Sequence, residues 1–281
     1  FLCWFVSSCA PGYQRTAAFQ DAVSKGEFEQ AEKLLQKDKK QARDKNKILY
    51  YLNQGYVEFM LGHYEKSNQA FEIAEQLTED QQRNLLTEAA VLISNPEIRP
   101  YRPEDFEVIM INFYKALNYL QLNNMEDALV EVRKINIRLQ QLNDKYPDHK
   151  NRYQRDAFAQ LLMGLIYDAA GDYNNAFIAY RNAYNTYQTD YLKNFGLAAP
   201  EQLKKDLLRT AYQSGLTQEL AGYEKEFQQK YTPAPLPANG QLVFFWPVKA
   251  EWGITFTKID KGDGVIVFHN EELGLTFPFF W

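Results

Sequence analysis

A mostly α-helical fold is predicted for this chain, a solenoid of antiparallel helical hairpins followed by a small antiparallel β module. Three observations predict it. Residues 153–188, YQRDAFAQLLMGLIYDAAGDYNNAFIAYRNAYNTYQ, read as two helices about a Gly171-Asp172 turn, with the small residues Gly164, Ala176 and Ala183 where the helices must touch. Tyr167, Phe177, Tyr180 and Tyr184 surround those positions, and one hairpin cannot bury so much surface alone, so neighbours of the same kind are required. Turn glycines recur at Gly26 and Gly62, 36 residues apart. Beyond residue 231 helical periodicity gives way to short runs of β-branched and aromatic residues.

The first hairpin carries Phe19, Ala22 and Val23 on one helix, Gly26 at the turn, and Phe28, Ala31, Leu34 and Leu35 on the other, one apolar stripe per helix. Residues 37–47 are charged and read as a solvated helix end. The second hairpin, ILYYLNQGYVEFMLGHYEKSNQAFEIAEQL, sets Gly55 against Ser67 and points Tyr64, Phe71 and Ala74 inward. The third, INFYKALNYLQLNNMEDALVEVRKI, turns at Asn123-Asn124. Successive turns from Gly62 to Asn123 and from Asn123 to Gly171 lie 61 and 48 residues apart, so the array is interrupted. The larger interruption reads as a separate amphipathic helix over about residues 81–93, then an extended crossing fixed by Pro96, Pro100 and Pro103. Glu104-Asp105 place acids at the positive end of the next helix. A fifth, degenerate hairpin around Gly215 reads as a cap.

Residues 10–231 thus form the predicted helical domain. Residues 232–239, opening with Thr232-Pro233-Ala234-Pro235-Leu236-Pro237, form a stiff linker. Residues 240–281 hold QLVFFW, WGITFTK, GVIVFH and LGLTFPFFW, read as strands, with Trp252, Ile254 and Phe256 alternating against Gly253, Thr255 and Thr257. The apolar close at Phe279-Phe280-Trp281 predicts that the module continues past the given residues.

Within the hairpins, Met163-Gly164-x-x-Tyr167, Ala176-x-x-x-Tyr180, Ser67-x-x-x-Phe71, Ala116-x-x-Tyr119 and Ala128-x-x-x-Val132 recur in register. This pattern resembles the tetratricopeptide repeat, whose period is roughly 34 residues. Gln160 stands where the repeat usually has Trp, and Gln54 and Glu58 where it has apolar residues. The resemblance implies that Tyr56, Phe59, Met60, Phe113, Leu117, Leu120, Leu161, Leu165 and Asp168 line or approach a concave groove that takes a protein partner as an extended peptide or helix. The alternative for any of them is packing against the next helix.

Cys3 and Cys9 both fall in the first nine residues, so no disulfide framework ties the body together. The apolar run Phe1-Leu2-Cys3-Trp4-Phe5-Val6 is too short to span a bilayer, and residues 1–9 read as the end of a signal peptide. Val6-Ser7-Ser8-Cys9 resembles the lipobox of bacterial lipoproteins. That resemblance implies a lipid on Cys9, a tether over residues 10–15 and, with Ala10 after the cysteine, the periplasmic face of a bacterial outer membrane. A chance cysteine behind a hydrophobic scrap is the alternative.

The crossing at Arg99-Pro100-Tyr101-Arg102, with FYKALNYL, VEVRK and GLIYDAAGDYNNAFIAYRNAY, is similar to a poorly characterised family of bacterial tetratricopeptide lipoproteins. Two readings of it stay open. Glu107 or Glu131 pairs with Arg133 as an internal lock on the crossing, or Arg99, Tyr101 and Arg102 meet a partner.

A net charge of -5 and a pI near 5.4 give no general attraction to nucleic acid. The 3 histidines, His63, His149 and His269, are scattered, and no HExxH, GxSxG, Walker loop or GxGxxG occurs, so no metal, cofactor or catalytic residue is predicted. Acids such as Glu126, Asp127 and Glu131 read as solvated helix faces. The predicted function is a lipid-anchored scaffold for protein–protein interaction. Two other classes remain, an activator of an envelope-biosynthesis enzyme such as a peptidoglycan synthase, and a carbohydrate-binding β module in which Trp246 and Trp252 stack sugars rather than pack a core.

Overall fold

The computed structural model describes residues 12–88, 100–145 and 156–233 and, as backbone, four strands between residues 241 and 280. Two compact units divide the chain, Phe1–Gln154 and Arg155–Trp281. The first holds three helical hairpins among the described residues, α1 (Gly12–Lys25) with α2 (Phe28–Lys37), α3 (Lys47–Met60) with α4 (Tyr64–Glu88), and α5 (Asp105–Gln121) with α6 (Met125–Lys145). The second holds α7 (Ala157–Ala169) with α8 (Tyr173–Thr186), a short α9 (Leu192–Phe195), and α10 (Glu201–Gln213) with α11 (Thr217–Phe227).

All five hairpins share one turn. Gly26, Gly62, Asn123, Gly171 and Gly215 sit in the left-handed region at φ of 76, 75, 56, 77 and 70°. At each, the turn residue's N–H donates to the carbonyl three residues back, and the next residue's N–H to the carbonyl five residues back. In the fourth hairpin these are Gly171 N to Asp168 O at 3.0 Å and Asp172 N to Tyr167 O at 2.9 Å. Two orphan carbonyls of the first helix are thereby satisfied while the chain reverses, and glycine adopts the required φ without a Cβ clash.

Five residues past the turn the second helix crosses closest, and there Ala31, Ser67, Ala128 and Ala176 are each 0% exposed. The first helix answers with its own small residue. Phe71 packs on Gly55, where a Cβ would lie 2.7 Å from the ring, and the Tyr180 ring occupies the space a Cβ on Gly164 would need. Ser67 Oγ also donates to the Gly55 carbonyl at 2.7 Å. The α7–α8 hairpin therefore folds as its small positions require.

Two readings of the first unit change. The helix expected from residue 81 is the continuation of α4, which runs unbroken for 25 residues as far as Glu88. The charged residues 37–47 are more than a helix end. They include a 3₁₀ helix (Lys39–Arg43) whose Ala42 packs against the cluster of Ala22, Ala31, Leu35, Tyr50 and Val57.

In the second unit a π-helical turn (Tyr187–Tyr191) extends α8, with the Tyr187 and Tyr191 rings 5.0 Å apart. The last pair caps the unit differently from the others. α11 buries none of its residues fully, and Tyr223 and Phe227 lay their rings on Tyr184 at 6.1 and 5.3 Å.

Four strands are described as backbone. β1 (Gln241–Trp246) pairs antiparallel with β2 (Thr255–Asp260), Trp246 opposite Thr255, and β3 (Val265–Asn270) pairs with β4 (Leu275–Phe280), Val265 opposite Phe280. These are two separate two-stranded ladders. Cys9, Arg99, Trp252, residues 234–239 of the linker and the terminal Trp281 lie outside the described residues.

The same substitution should have opposite signs at two helical glycines. Gly164→Ala drives a methyl into the Tyr180 ring and should lower stability by about 1–3 kcal/mol. Gly222→Ala in α11, where nothing lies within 4 Å, should raise it by about 0.5–1 kcal/mol. Urea unfolding of the two variants beside the parent checks both.

Candidate functional site

The first helices of the second and third hairpins, α3 and α5, meet along an aromatic seam. Tyr114 is its centre. Its ring stacks on Phe71 at 5.5 Å with an interplanar angle of 3°, and meets Phe59 edge-on at 5.0 Å, Phe113 at 5.4 Å and Tyr56 at 5.7 Å. Phe28 of α2 extends the seam to Tyr56 at 6.1 Å. Burial pushes the Tyr114 and Tyr56 hydroxyls up from the usual tyrosine range, so both rings present neutral donors. Sequence reasoning missed Tyr114, because adjacent aromatics at 113 and 114 leave helical periodicity unable to say which one faces α3.

Of the nine groove positions, Phe113, Leu117, Leu161 and Leu165 are buried. Tyr56, Phe59, Met60 and Leu120 remain half-buried along α3 and α5. Asp168, in the second unit, is already engaged. Its carboxylate accepts from both Arg209 terminal nitrogens, one at 2.9 Å, and from the Tyr180 hydroxyl at 3.1 Å, while Arg209 also donates to the buried Asp206 at 2.9 Å. Asp168 ties α7 to α8 and α10.

Beside Tyr114 lies a feature the sequence did not disclose, a buried charged layer joining α4, α5 and α6. Lys115 is 2% exposed and its ammonium meets three carboxylates, Glu72 at 2.6 Å, Glu75 at 2.8 Å and Glu131 at 3.1 Å. Asn112 Nδ2 donates to Glu75 and Glu131, both at 2.8 Å. Lys134 and Arg138 of α6 extend the layer, Lys134 to Glu131 at 3.2 Å and Arg138 to Glu75 at 3.5 Å and to a further acid, Glu79, at 2.5 Å. Glu131 is therefore not a solvated acid. Burial alone would raise the Glu75 carboxyl, but hydrogen bonds from Asn112 and Lys115 and the charges of Lys115 and Lys134 outweigh it and hold the group at about 2. Burial likewise disfavours the Lys115 cation, and the hydrogen bonds to Glu72 and Glu75 with the Glu131 charge reverse that, raising it above the lysine range.

The crossing is locked, though not by the expected pair. Arg133 is exposed, whereas Glu131 serves Lys115 and Lys134. The lock is Tyr101. Its amide donates to the Lys45 carbonyl at 2.9 Å, its carbonyl accepts from Gln81 Nε2 at 3.0 Å, and its hydroxyl donates to the Glu107 carboxylate at 2.7 and 2.6 Å. Glu107 Oε2 also accepts from the Glu104 amide at 2.7 Å, capping α5. Arg102 stands exposed beside it. Among the described residues, no group of three or more His, Cys, Asp or Glu is arranged to hold a metal ion, and no helix is long and apolar enough to cross a membrane.

No protein-family model and no curated protein matches the chain. Solved structures do. The chain is similar to BtubC (BKLC) from P. vanneervenii, at 17% identity with a TM-score of 0.51, over 81% of this chain and 85% of that one. A second likeness, to the MamA protein, has 14% identity and a TM-score of 0.44, over 79% and 97% of the two chains. The likeness to BtubC is one of fold, and it supports a tetratricopeptide-like helical-repeat fold for this chain.

Lys115→Met strips buried carboxylates of their counter-charge and should cost about 3–5 kcal/mol, with much of the loss recovered when Glu75→Gln and Glu131→Gln are added. Urea titrations of the single and triple variants decide this. The folded Glu75 carboxyl sits below its ordinary 4.5, so its contribution is fully present above that pH and drains away as pH falls through about 2. Acid-unfolding curves should show this loss in the parent and a shallower one in Glu75→Gln.

Proposed function

We propose that this protein is a lipid-anchored, non-catalytic scaffold on the periplasmic face of a bacterial outer membrane, holding a protein partner along the α3–α5 seam. The observation that carries the reading is the uncharged strip of Tyr56, Phe59, Met60 and Leu120, half-buried on the first helices of adjacent hairpins in a tetratricopeptide-like fold. First helices are where such repeats offer partners a surface, and aromatic rings there supply apolar area with few rotamers to freeze. The lipid anchor rests on Val6-Ser7-Ser8-Cys9 alone. The paired strands of residues 241–280 are read as a small accessory module on the same chain.

Photoreactive phenylalanine at position 60 or 120 tests the seam. A discrete cross-linked protein should appear in envelope extracts at these positions and not at the buried position 117. Adducts equally frequent at an exposed α11 site would reject the seam. Cys9→Ala should move the protein from the membrane to the soluble fraction and abolish palmitate labelling. Unchanged fractionation would remove the anchor from this reading.

A further inference from the structure

We infer that a cleft between α1, α2 and α3 is a binding site for an acidic peptide segment carrying one apolar anchor residue. The site goes beyond the seam described above, drawing on Leu49 and Asn53 of α3 rather than Tyr56 and Phe59, so either can fail without the other.

The cleft has a volume of about 330 Å³ and a floor of Phe19, Leu34, Leu35 and Leu49. That is the lower end of ligand-pocket size, enough for one large apolar side chain. Its rim is polar. Gln41, Asn46 and Asn53 offer amide groups beside Lys37 and Asp38, and the Asp38 carboxylate accepts from the Gln41 nitrogen at 2.6 Å. Side-chain amides pair donor to acceptor with a peptide backbone, so the rim matches an extended segment whose side chain enters the floor.

Charge selects the partner. Residues 33–47, which build one wall through α2, the 3₁₀ helix and the start of α3, hold seven Lys and Arg against two Asp, a net of +5 in a chain of net -5. Lys33, Lys37, Lys39, Lys40, Arg43 and Lys47 stand exposed, and among the described residues none of these six is held in an ion pair. A net positive wall on a net negative chain favours an anionic partner at this face over the acidic remainder. The 3₁₀ helix is held firmly enough to present these charges, through Ala42 against the core and Lys45 O beneath the Tyr101 amide at 2.9 Å.

The test uses the 281-residue chain and a fluorescein-labelled peptide of three glutamates on either side of one phenylalanine, read by anisotropy. Binding should weaken at least tenfold when the phenylalanine is replaced by glycine, and comparably in Lys39→Glu with Lys40→Glu. It should also fall as salt rises from about 50 to about 300 mM. Asn53→Leu, which keeps the charge and alters the rim, should weaken the phenylalanine peptide and leave the glycine peptide unchanged. Circular dichroism confirms that each variant is folded. Absence of binding overturns the proposal. Equal affinity for both peptides reduces the wall to general polyanion attraction and overturns it too. Binding to phosphatidylglycerol vesicles with the same charge-reversal dependence, without peptide binding, assigns the patch to a lipid surface instead.

Discussion

Everything described in the helical part of this protein depends on how closely two helices can approach after a reversal of two or three residues. The left-handed residue at each turn brings them together, and the position five residues later is where they collide unless the side chain is small. Ala31, Ser67, Ala128 and Ala176 meet that condition. Bulky residues then fill the space alongside, as Phe71 does over Gly55 and Tyr180 over Gly164. Asn123 shows that the constraint concerns φ rather than glycine as such, since asparagine is one of the few residues with a Cβ that visits this region readily.

Packing of this kind joins helices within a hairpin and says less about how one hairpin meets the next. In the first unit that second task falls to the charged layer around Lys115. Apolar helix faces slide over one another at modest cost, but an ammonium among three carboxylates, with Asn112 donating to two of them, has few alternative registers. A buried pair of this sort contributes little net stability over apolar residues of the same volume. Its role here is specificity of the α4–α5–α6 arrangement. The aromatic seam lies directly beside it, since Tyr114 and Lys115 are consecutive, so the layer that fixes α5 also fixes the rings available to a partner.

Much of the helical fold was legible because its determinants are local. Gly26, Gly62, Gly171 and Gly215 mark turns by backbone chemistry that needs no tertiary information, and after the first three a small residue follows at a fixed offset, where Gly215 is followed by Leu220. The site was legible only in part. Phe113 and Leu117 lie buried, and one sequence gives helical faces without saying which of two apolar faces meets a neighbour. Glu131 was read as solvated because an acid on an amphipathic helix usually is, and its partners Lys115 and Asn112 are 16 and 19 residues away in sequence. Tyr101 emerged as the lock because three of its groups find partners on separate elements, Lys45, Gln81 and Glu107.

The sequence by itself determined the helical hairpins, the chemistry of their turns and the small contact positions, because φ preference and residue volume act within a few residues. Tertiary structure decided which polar groups are buried together, which aromatic rings keep an open edge, and that residues 37–47 pack as a cationic wall rather than fray into solvent. Those outcomes depend on groups brought together from distant helices, where desolvation and pairing compete, and no local pattern in the chain records which of the two prevails.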